Sequence, residues 1–188
     1  SPLGLLAVCS VVAAIGLFLL SQSVGVMILV AATIYGFGKS FFLPTMLGVV
    51  AERFPKGGAL TLNVIAGLGM ISAGVIGAGV IGFLQDSSIE KGIKTYDVTQ
   101  NTTLSDNYIT DEKTSVFGDY RALDQVKFES ASAEEVETIT QIQEASKKEA
   151  LQYIVIFPVF MFLCYMALIL YFKSKGGYSA VALPNQTE

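Results

Sequence analysis

Four long apolar stretches constrain this chain more than any other feature of its sequence. They cover residues 3–20, 24–51, 59–84 and 150–172, and only Lys39 interrupts the second. A helix needs about 20 apolar residues to cross the roughly 30 Å hydrocarbon core of a bilayer. The stretches therefore predict four transmembrane helices. The expected fold class is an all-α integral membrane protein built as a transmembrane helical bundle.

The connections between these stretches predict the order of the domains. Residues 21–23 and 52–58 are short links, which makes the first three spans antiparallel neighbours. An apolar stretch begins at once, with no charged region before it, so we expect a piece of a longer protein and not a signal peptide. The predicted organisation is three transmembrane helices in residues 1–85, a polar insert in 86–149, the last transmembrane helix in 150–173 and a tail in 174–188.

The charged residues are concentrated in the insert. It holds 14 acids and 7 bases, a net charge of −7, whereas the rest of the chain has a net charge of +3. Charged residues make up 15% of the chain, against about a quarter in soluble domains. The sequence offers no basic face of the kind that binds nucleic acid.

The residue types that support catalysis are scarce. The chain has no histidine, and both cysteines, Cys9 and Cys164, lie inside apolar stretches. No nucleophile–base pair, cluster of metal ligands or disulfide framework is visible in this pattern. We therefore expect the protein not to be an enzyme and to have no metal or cofactor.

Basic residues near the ends of the spans predict the orientation. Arg53 and Lys56 lie in the second link, and Lys173 and Lys175 follow the fourth span. The third and fourth spans lie between these two places, so two crossings put them on one side, and the positive-inside rule assigns that side to the cytoplasm. The insert is then external and the C-terminus cytoplasmic, in what we expect to be a bacterial inner (plasma) membrane.

The last part of the insert has the pattern of an amphipathic helix. Ser132 and Glu135 have the spacing of an N-terminal capping box. We expect this helix to continue into the fourth span, with Pro158 in its interior. Its apolar stripe either packs on the rest of the insert, which we favour, or binds a partner. The stripe consists of Val136, Ile139 and Ile142.

Lys39 is the charged residue that is hardest to explain. Along a helix it lies roughly 18 Å from one end of the second span and roughly 22 Å from the other. A lysine side chain reaches about 6 Å, so it does not extend to either interface. Lysine at a helix centre costs ~2.5–3.5 kcal/mol on the insertion scale. Two interpretations stay open: a contact with a solute, or an ion pair with an acid outside these four spans.

Several residues are predicted to line a pathway with Lys39. At 100° per residue, Tyr35, Phe42 and Met46 share its face, although ordinary helix packing is the better explanation for the last two. In the third span Asn63 and Gly67 share a face, where Asn63 makes either a packing hydrogen bond or a solute contact. These residues fit the general pattern of a site with apolar walls and few polar groups.

Pro44 and the glycines predict the shape of the middle spans. Pro44 leaves the Ser40 carbonyl without its helical partner and should bend the second span, as a structural kink or a hinge. The outer spans are almost wholly apolar and should face lipid. The middle spans contain polar and small residues, which should face other protein or a water-filled cavity. Two rows of small residues in the third span indicate close helix packing. They are Gly69, Ala73 and Gly77, and Gly74, Ala78 and Gly82.

These motifs together resemble a known family. The motif YGFGKSFFLPTM at residues 35–46, the motif AERFPKGGAL at 51–60 and the glycine-rich span ending at 84–86 resemble the C-terminal third of a major facilitator superfamily transporter. Residues 171–178 are similar to its last helix and tail. The 64-residue insert at 86–149 stands where the family usually has a short external loop.

The resemblance implies a fold and a function. The chain would be a fragment of a twelve-helix transporter fold, spans nine to twelve, with a central site and alternating access. The tenth and eleventh spans would line the cavity, and the ninth and twelfth would face lipid. We therefore expect part of a secondary active transporter for a small polar solute, with or without a coupling ion. Its partners are the lipid bilayer, the solute and the rest of the transporter. The alternative is a non-transporting membrane sensor or scaffold whose external insert binds a partner.

Overall fold

The structure is a computed structural model that describes residues 1–115 and 117–181. It is 80% helical and all-α apart from one short hairpin. Four helical segments are long and apolar enough to cross a membrane, as predicted, which indicates an integral membrane protein. They are Pro2–Gln22, Met27–Arg53, Pro55–Gln100 and Ala133–Ser174. Residues 182–188 of the predicted tail lie outside the described residues.

The chain divides into two compact units, Ser1–Ser72 with Val155–Glu188, and Ala73–Ile154. The first unit begins with α1 (Pro2–Gln22), α2 (Met27–Ser40), α3 (Phe42–Arg53), a 3-10 turn (Pro55–Gly57) and α4 (Gly58–Ile71). A π-helical segment, Ser72–Gly77, leads into the second unit. That unit contains α5 (Ala78–Gln100), α6 (Leu104–Tyr108), β1 (Asp111–Ser115), β2 (Gly118–Ala122), α7 (Gln125–Glu129) and α8 (Ala133–Ile154). The chain then returns to the first unit with α9 (Ile156–Ser174).

Helix α1 lies at the centre of the first unit. It contacts α2, α3 and α9, and one of its faces is buried. The opposite face exposes apolar side chains that suit contact with lipid, among them Val8, Ile15 and Phe18. The buried face consists of Leu3, Leu6, Ala7, Cys9, Ser10, Ala13, Gly16, Leu17 and Ser21.

The closest helix contact in the first unit joins α1 and α2. A Cβ atom on Gly38 would lie 2.7 Å from the Ala13 nitrogen and 3.0 Å from the Cys9 carbonyl oxygen. A Cβ atom on Gly16 would lie 2.5 Å from the Tyr35 nitrogen. The two glycines therefore let the helix backbones touch, which any side chain would prevent.

Gly77 apart, the two rows of small residues in the third span make no such contact within the described chain. A Cβ atom added to Gly69 or Gly74 would meet nothing within 4 Å, and on Gly82 it would meet only the Tyr120 hydroxyl, at 3.9 Å. Ala73 and Ala78 are exposed. Close packing by these rows, including Gly77, stays a prediction for a contact with protein outside this chain.

Two prolines coincide with the interruptions of the long helices. Helix α2 ends at Ser40 and α3 begins at Phe42, with φ −90° and ψ −10° at Phe41 between them. Pro44 has no N–H to give to the Ser40 carbonyl, which explains an interruption at this point. Pro158 has the same relation to Ile154, the last residue of α8. Val155, which lies between the end of α8 and the start of α9, keeps helical angles of φ −56° and ψ −25°.

The second unit has its own hydrophobic core. Helices α5 and α8 pack together at Gly92, where a Cβ atom would lie 2.7 Å from the Ser146 hydroxyl oxygen. Ile139 is fully buried and Ile142 packs against the same core, so two of the three residues in the predicted stripe pack on the rest of the insert. The core consists of Ile89, Ile93, Leu104, Tyr108, Ile109, Leu123 and Ile139.

The capping box at the start of α8 is confirmed. The Ser132 nitrogen donates to the Glu135 carboxylate at 3.0 Å, and the Glu135 nitrogen donates to the Ser132 hydroxyl at 3.3 Å. The Ser132 hydroxyl also donates to that carboxylate at 2.6 Å. The hydrogen bonds from Ser132 hold the pKa of Glu135 below its usual value.

The sequence did not predict the helical extension or the hairpin of the insert. Helix α5 continues past the apolar stretch that ends at residue 84 and runs to Gln100. Strands β1 and β2 form an antiparallel hairpin in which Asp111 pairs with Ala122. Both strands are mostly exposed, so they lack the alternating apolar pattern by which a strand is recognised in a sequence.

Candidate functional site

Lys39 is the next-to-last residue of α2 and is exposed. Its ammonium nitrogen lies 5.9 Å from the centre of the Tyr35 ring, one helical turn earlier. Among the described residues no carboxylate lies within ion-pair distance of it. A cation–π contact contributes about 0.5–2 kcal/mol, which is less than the ~2.5–3.5 kcal/mol cost of a lysine at mid-span. The contact with Tyr35 alone therefore does not offset this cost, and an anionic or hydroxyl-bearing partner of the ammonium would.

The contact between α1 and α2 sets the direction of Lys39. Gly38 is buried against α1, and the next residue along a helix is rotated by about 100°. Lys39 is therefore turned away from α1 and stays exposed. This positioning role of Gly38 was not predicted from the sequence. The available signal was the pair of small residues in the first span, Ala13 and Gly16, which complement a glycine in the second.

The other predicted pathway residues are not gathered around Lys39 by one regular helix. Phe42 and Met46 are half-buried on α3, beyond the interruption at Phe41. The spacing of 100° per residue holds only within one continuous helix, so it no longer puts these two residues on the same face as Lys39. Asn63 is exposed and Gly67 half-buried on α4, a helix that contacts α3. The structure brings together Lys39 and Tyr35, and it leaves the remaining four residues on the two neighbouring helices.

A second polar cluster lies where α3 ends and was not predicted. The Tyr178 hydroxyl donates to the Glu52 carboxylate at 2.7 Å. The Arg53 guanidinium donates to the Ser179 carbonyl at 2.8 Å, and its carbon lies 4.6 Å from the centre of the Phe172 ring. The tail and the end of α3 therefore meet at one end of the first unit. This arrangement agrees with the topology deduced from the basic residues, in which both lie on the same side.

The second unit has a cleft of about 310 Å³ on its surface. It combines one aromatic ring, an amide, several hydroxyl groups and two carboxylates, a set that suits a polar ligand or a loop of another protein. The lining residues are Tyr96, Thr102, Thr103, Leu104, Asn107, Glu134, Glu135 and Thr138.

Comparison with protein-family models, with curated proteins and with solved structures gives no match for this chain. What the chain does must therefore follow from its own residues. The features that bear on function are the four long apolar helices, the ammonium group over a tyrosine ring and the folded polar unit.

Proposed function

We propose that this chain is part of a secondary active transporter that moves a small polar solute across a membrane by alternating access. The observation that carries the proposal is Lys39, whose ammonium lies over the Tyr35 ring with no carboxylate in contact among the described residues. A charge at this depth of an apolar span is costly unless it has a partner or a function. The resemblance to the major facilitator superfamily supports the same conclusion.

Each residue of the pathway has a chemical role in this proposal. The Lys39 ammonium attracts an anionic or hydroxyl-rich solute, and the Tyr35 ring holds that ammonium in place between transport cycles. Phe42 and Met46 on α3 supply apolar walls. Asn63 on α4 supplies an amide for hydrogen bonding, next to Gly67, where the backbone is open to close approach. The remaining spans of the transporter complete the cavity.

Uptake by the full-length protein is the decisive experiment, with a panel of sugars, sugar acids and nucleosides. Lys39→Met keeps the length and the apolar stem of the side chain but removes the charge. We expect its thermal stability to equal or exceed that of the wild type, while uptake is lost. Lys39→Arg, which keeps the charge, should retain part of the uptake.

Two outcomes would contradict this role of Lys39. If the residue is only half of a structural ion pair, Lys39→Met leaves a buried acid unpaired, and stability should fall by about 3–5 kcal/mol. If Lys39→Met is both stable and fully active, the residue serves neither purpose. The melting temperature of the purified variant and the initial uptake rate separate these cases.

A membrane sensor or scaffold is the second candidate, and the folded insert favours it. The unit Ala73–Ile154 has a hydrophobic core and a cleft of about 310 Å³. Replacing residues 102–131 with a short glycine-serine linker removes one wall of that cleft and leaves most of α5 and α8 in place. Retained uptake by this variant would favour the transporter, because the insert is then dispensable for transport. Absence of uptake by the wild type for every solute tested would favour the scaffold.

A further inference from the structure

The segment that follows α9 folds back onto the end of α3. Gly176 and Gly177 have φ values of +93° and +105°, a backbone conformation that glycine adopts without strain. The Gly177 nitrogen donates to the Phe172 carbonyl at 2.8 Å, which closes the end of the helix. The two glycines therefore form a turn that brings residues 178–181 to α3.

Four contacts hold this segment in place. Two involve Glu52, whose carboxylate accepts from the Tyr178 hydroxyl at 2.7 Å and whose carbonyl accepts from the Val181 nitrogen at 2.8 Å. The third is the hydrogen bond from Arg53 to the Ser179 carbonyl. The fourth is the edge-to-face contact between the Tyr178 and Phe172 rings, whose centres are 5.4 Å apart.

The chemistry of these contacts suits a reversible attachment. Partial burial and the hydrogen bond to Glu52 raise the pKa of Tyr178 to about 12, so its hydroxyl stays a donor at physiological pH. Glu52 and Ser179 are exposed and Arg53 and Tyr178 only half-buried, so water can replace each hydrogen bond when the segment leaves. Hydrogen bonds to charged groups are stronger than neutral ones, which makes Glu52 and Arg53 the main anchors.

We propose that residues 178–181 form a clasp on the ends of α3 and α9 that is closed in one access state of the transporter and open in the other. The link to access states rests on the proposed function, whereas the clasp itself does not. A contact present in only one of two arrangements favours that arrangement by its own free energy. The clasp then sets the balance between the two states, and solute binding shifts it.

Spin labelling of the full-length protein tests the clasp directly. A label on Ala180→Cys, in a Cys164→Ser background, should show an immobile and a mobile population. Tyr178→Phe removes the hydroxyl but keeps the ring, and it should raise the mobile-to-immobile ratio roughly tenfold, the effect of losing one charge-assisted hydrogen bond. Glu52→Gln should raise the ratio in the same direction.

Tyr171→Phe is the matched control, because Tyr171 packs against the same Phe172 ring and its hydroxyl has no hydrogen-bond partner among the described residues. An equal ratio in Tyr178→Phe and Tyr171→Phe would overturn the clasp. A ratio that a saturating transported solute leaves unchanged would overturn the link to access states. If no solute is taken up, the proposed function and that link fail together, while the two tyrosine variants still decide whether the clasp exists.

Discussion

At the scale of single residues, Asp97 determines how α5 ends and how the next loop is held. It is buried near the end of the helix, beyond the apolar stretch that stops at residue 84. Its carboxylate accepts from the Thr102 hydroxyl at 2.6 Å and from the Leu104 and Ser105 nitrogens at 2.9 and 2.7 Å. One side chain thus satisfies two free backbone N–H groups at the start of α6.

Replacing Asp97 with asparagine should destabilise the insert. The amide group has one acceptor atom in place of two and brings an N–H group close to backbone donors. We expect a loss of about 1–3 kcal/mol in unfolding free energy, the range for disrupting a buried charged hydrogen-bond group. Hydrogen exchange of the Leu104 and Ser105 amides in the full-length protein measures it. Asp106→Asn, at an exposed carboxylate in α6, should leave their exchange unchanged.

The same carboxylate predicts a pH dependence. Burial raises the pKa of Asp97, but the hydrogen bonds from Ser105, Thr102 and Leu104 outweigh burial and bring it below its ordinary value of 3.8. A group with a lowered folded-state pKa contributes stability above its unfolded pKa and loses it as the pH falls through the folded value. The protection of the Leu104 and Ser105 amides against hydrogen exchange should hold above about pH 4 and weaken below it. Equal weakening in Asp97→Asn would assign the effect to another group.

At the scale of helices, the approach of α1 and α2 is the contact that most constrains substitution. Gly38 and Gly36 both lie in α2, but only Gly38 has backbone atoms of α1 where a Cβ atom would be placed. The atoms nearest to that Cβ position are the Ala13 nitrogen and the Cys9 carbonyl oxygen, which belong to the backbone of α1. A methyl group there has to push the two helices apart.

Alanine at each of these two glycines tests the contact. Gly38→Ala should lower stability by about 1–3 kcal/mol, the usual cost of overpacking. Gly36→Ala should be neutral or stabilising, since nothing lies within 4 Å of its Cβ position and alanine favours the helix. Thermal unfolding of the two purified variants in the same detergent compares them. Equal melting temperatures would show that α1 and α2 do not touch at Gly38.

At the scale of the whole molecule, the meeting of the tail with the end of α3 bears on the topology. The third and fourth spans lie between the link at residues 52–58 and the tail, so two crossings separate them. Two crossings return the chain to the side from which it started, which the contacts of Arg53 and Tyr178 require.

Labelling of intact cells with a membrane-impermeant maleimide tests the proposed orientation. We expect a cysteine at the exposed position Glu129 in the insert to react from outside, and a cysteine at Ala180 in the tail to react only after the cells are opened. Permeabilised cells control for reactivity at both positions. Labelling of Ala180→Cys but not Glu129→Cys in intact cells would reverse the orientation.

Local patterns in the sequence were sufficient for much of the helical framework. The length of the apolar stretches predicted four spans, and Ser132 with Glu135 predicted the start of α8. The missing N–H of Pro44 predicted a bend in the second span, close to where the structure has an interruption at Phe41. Each of these features depends on atoms within a few residues of one another. The isolated charge of Lys39 was visible for the same reason, because its depth follows from its position in the span.

Only the tertiary structure showed which surfaces meet. All faces of α1 are apolar in sequence, and lipid and protein both accept apolar side chains, so no contrast marks the face that packs on α2 and α9. Arg53 and Ser179 are 126 residues apart, and no periodicity links them. The sequence by itself determined the four apolar spans, the proline-marked site in the second span and the start of α8. The partners of Gly38, Asp97 and Tyr178 were decided by the packed chain, because these contacts exist only when distant segments are in place.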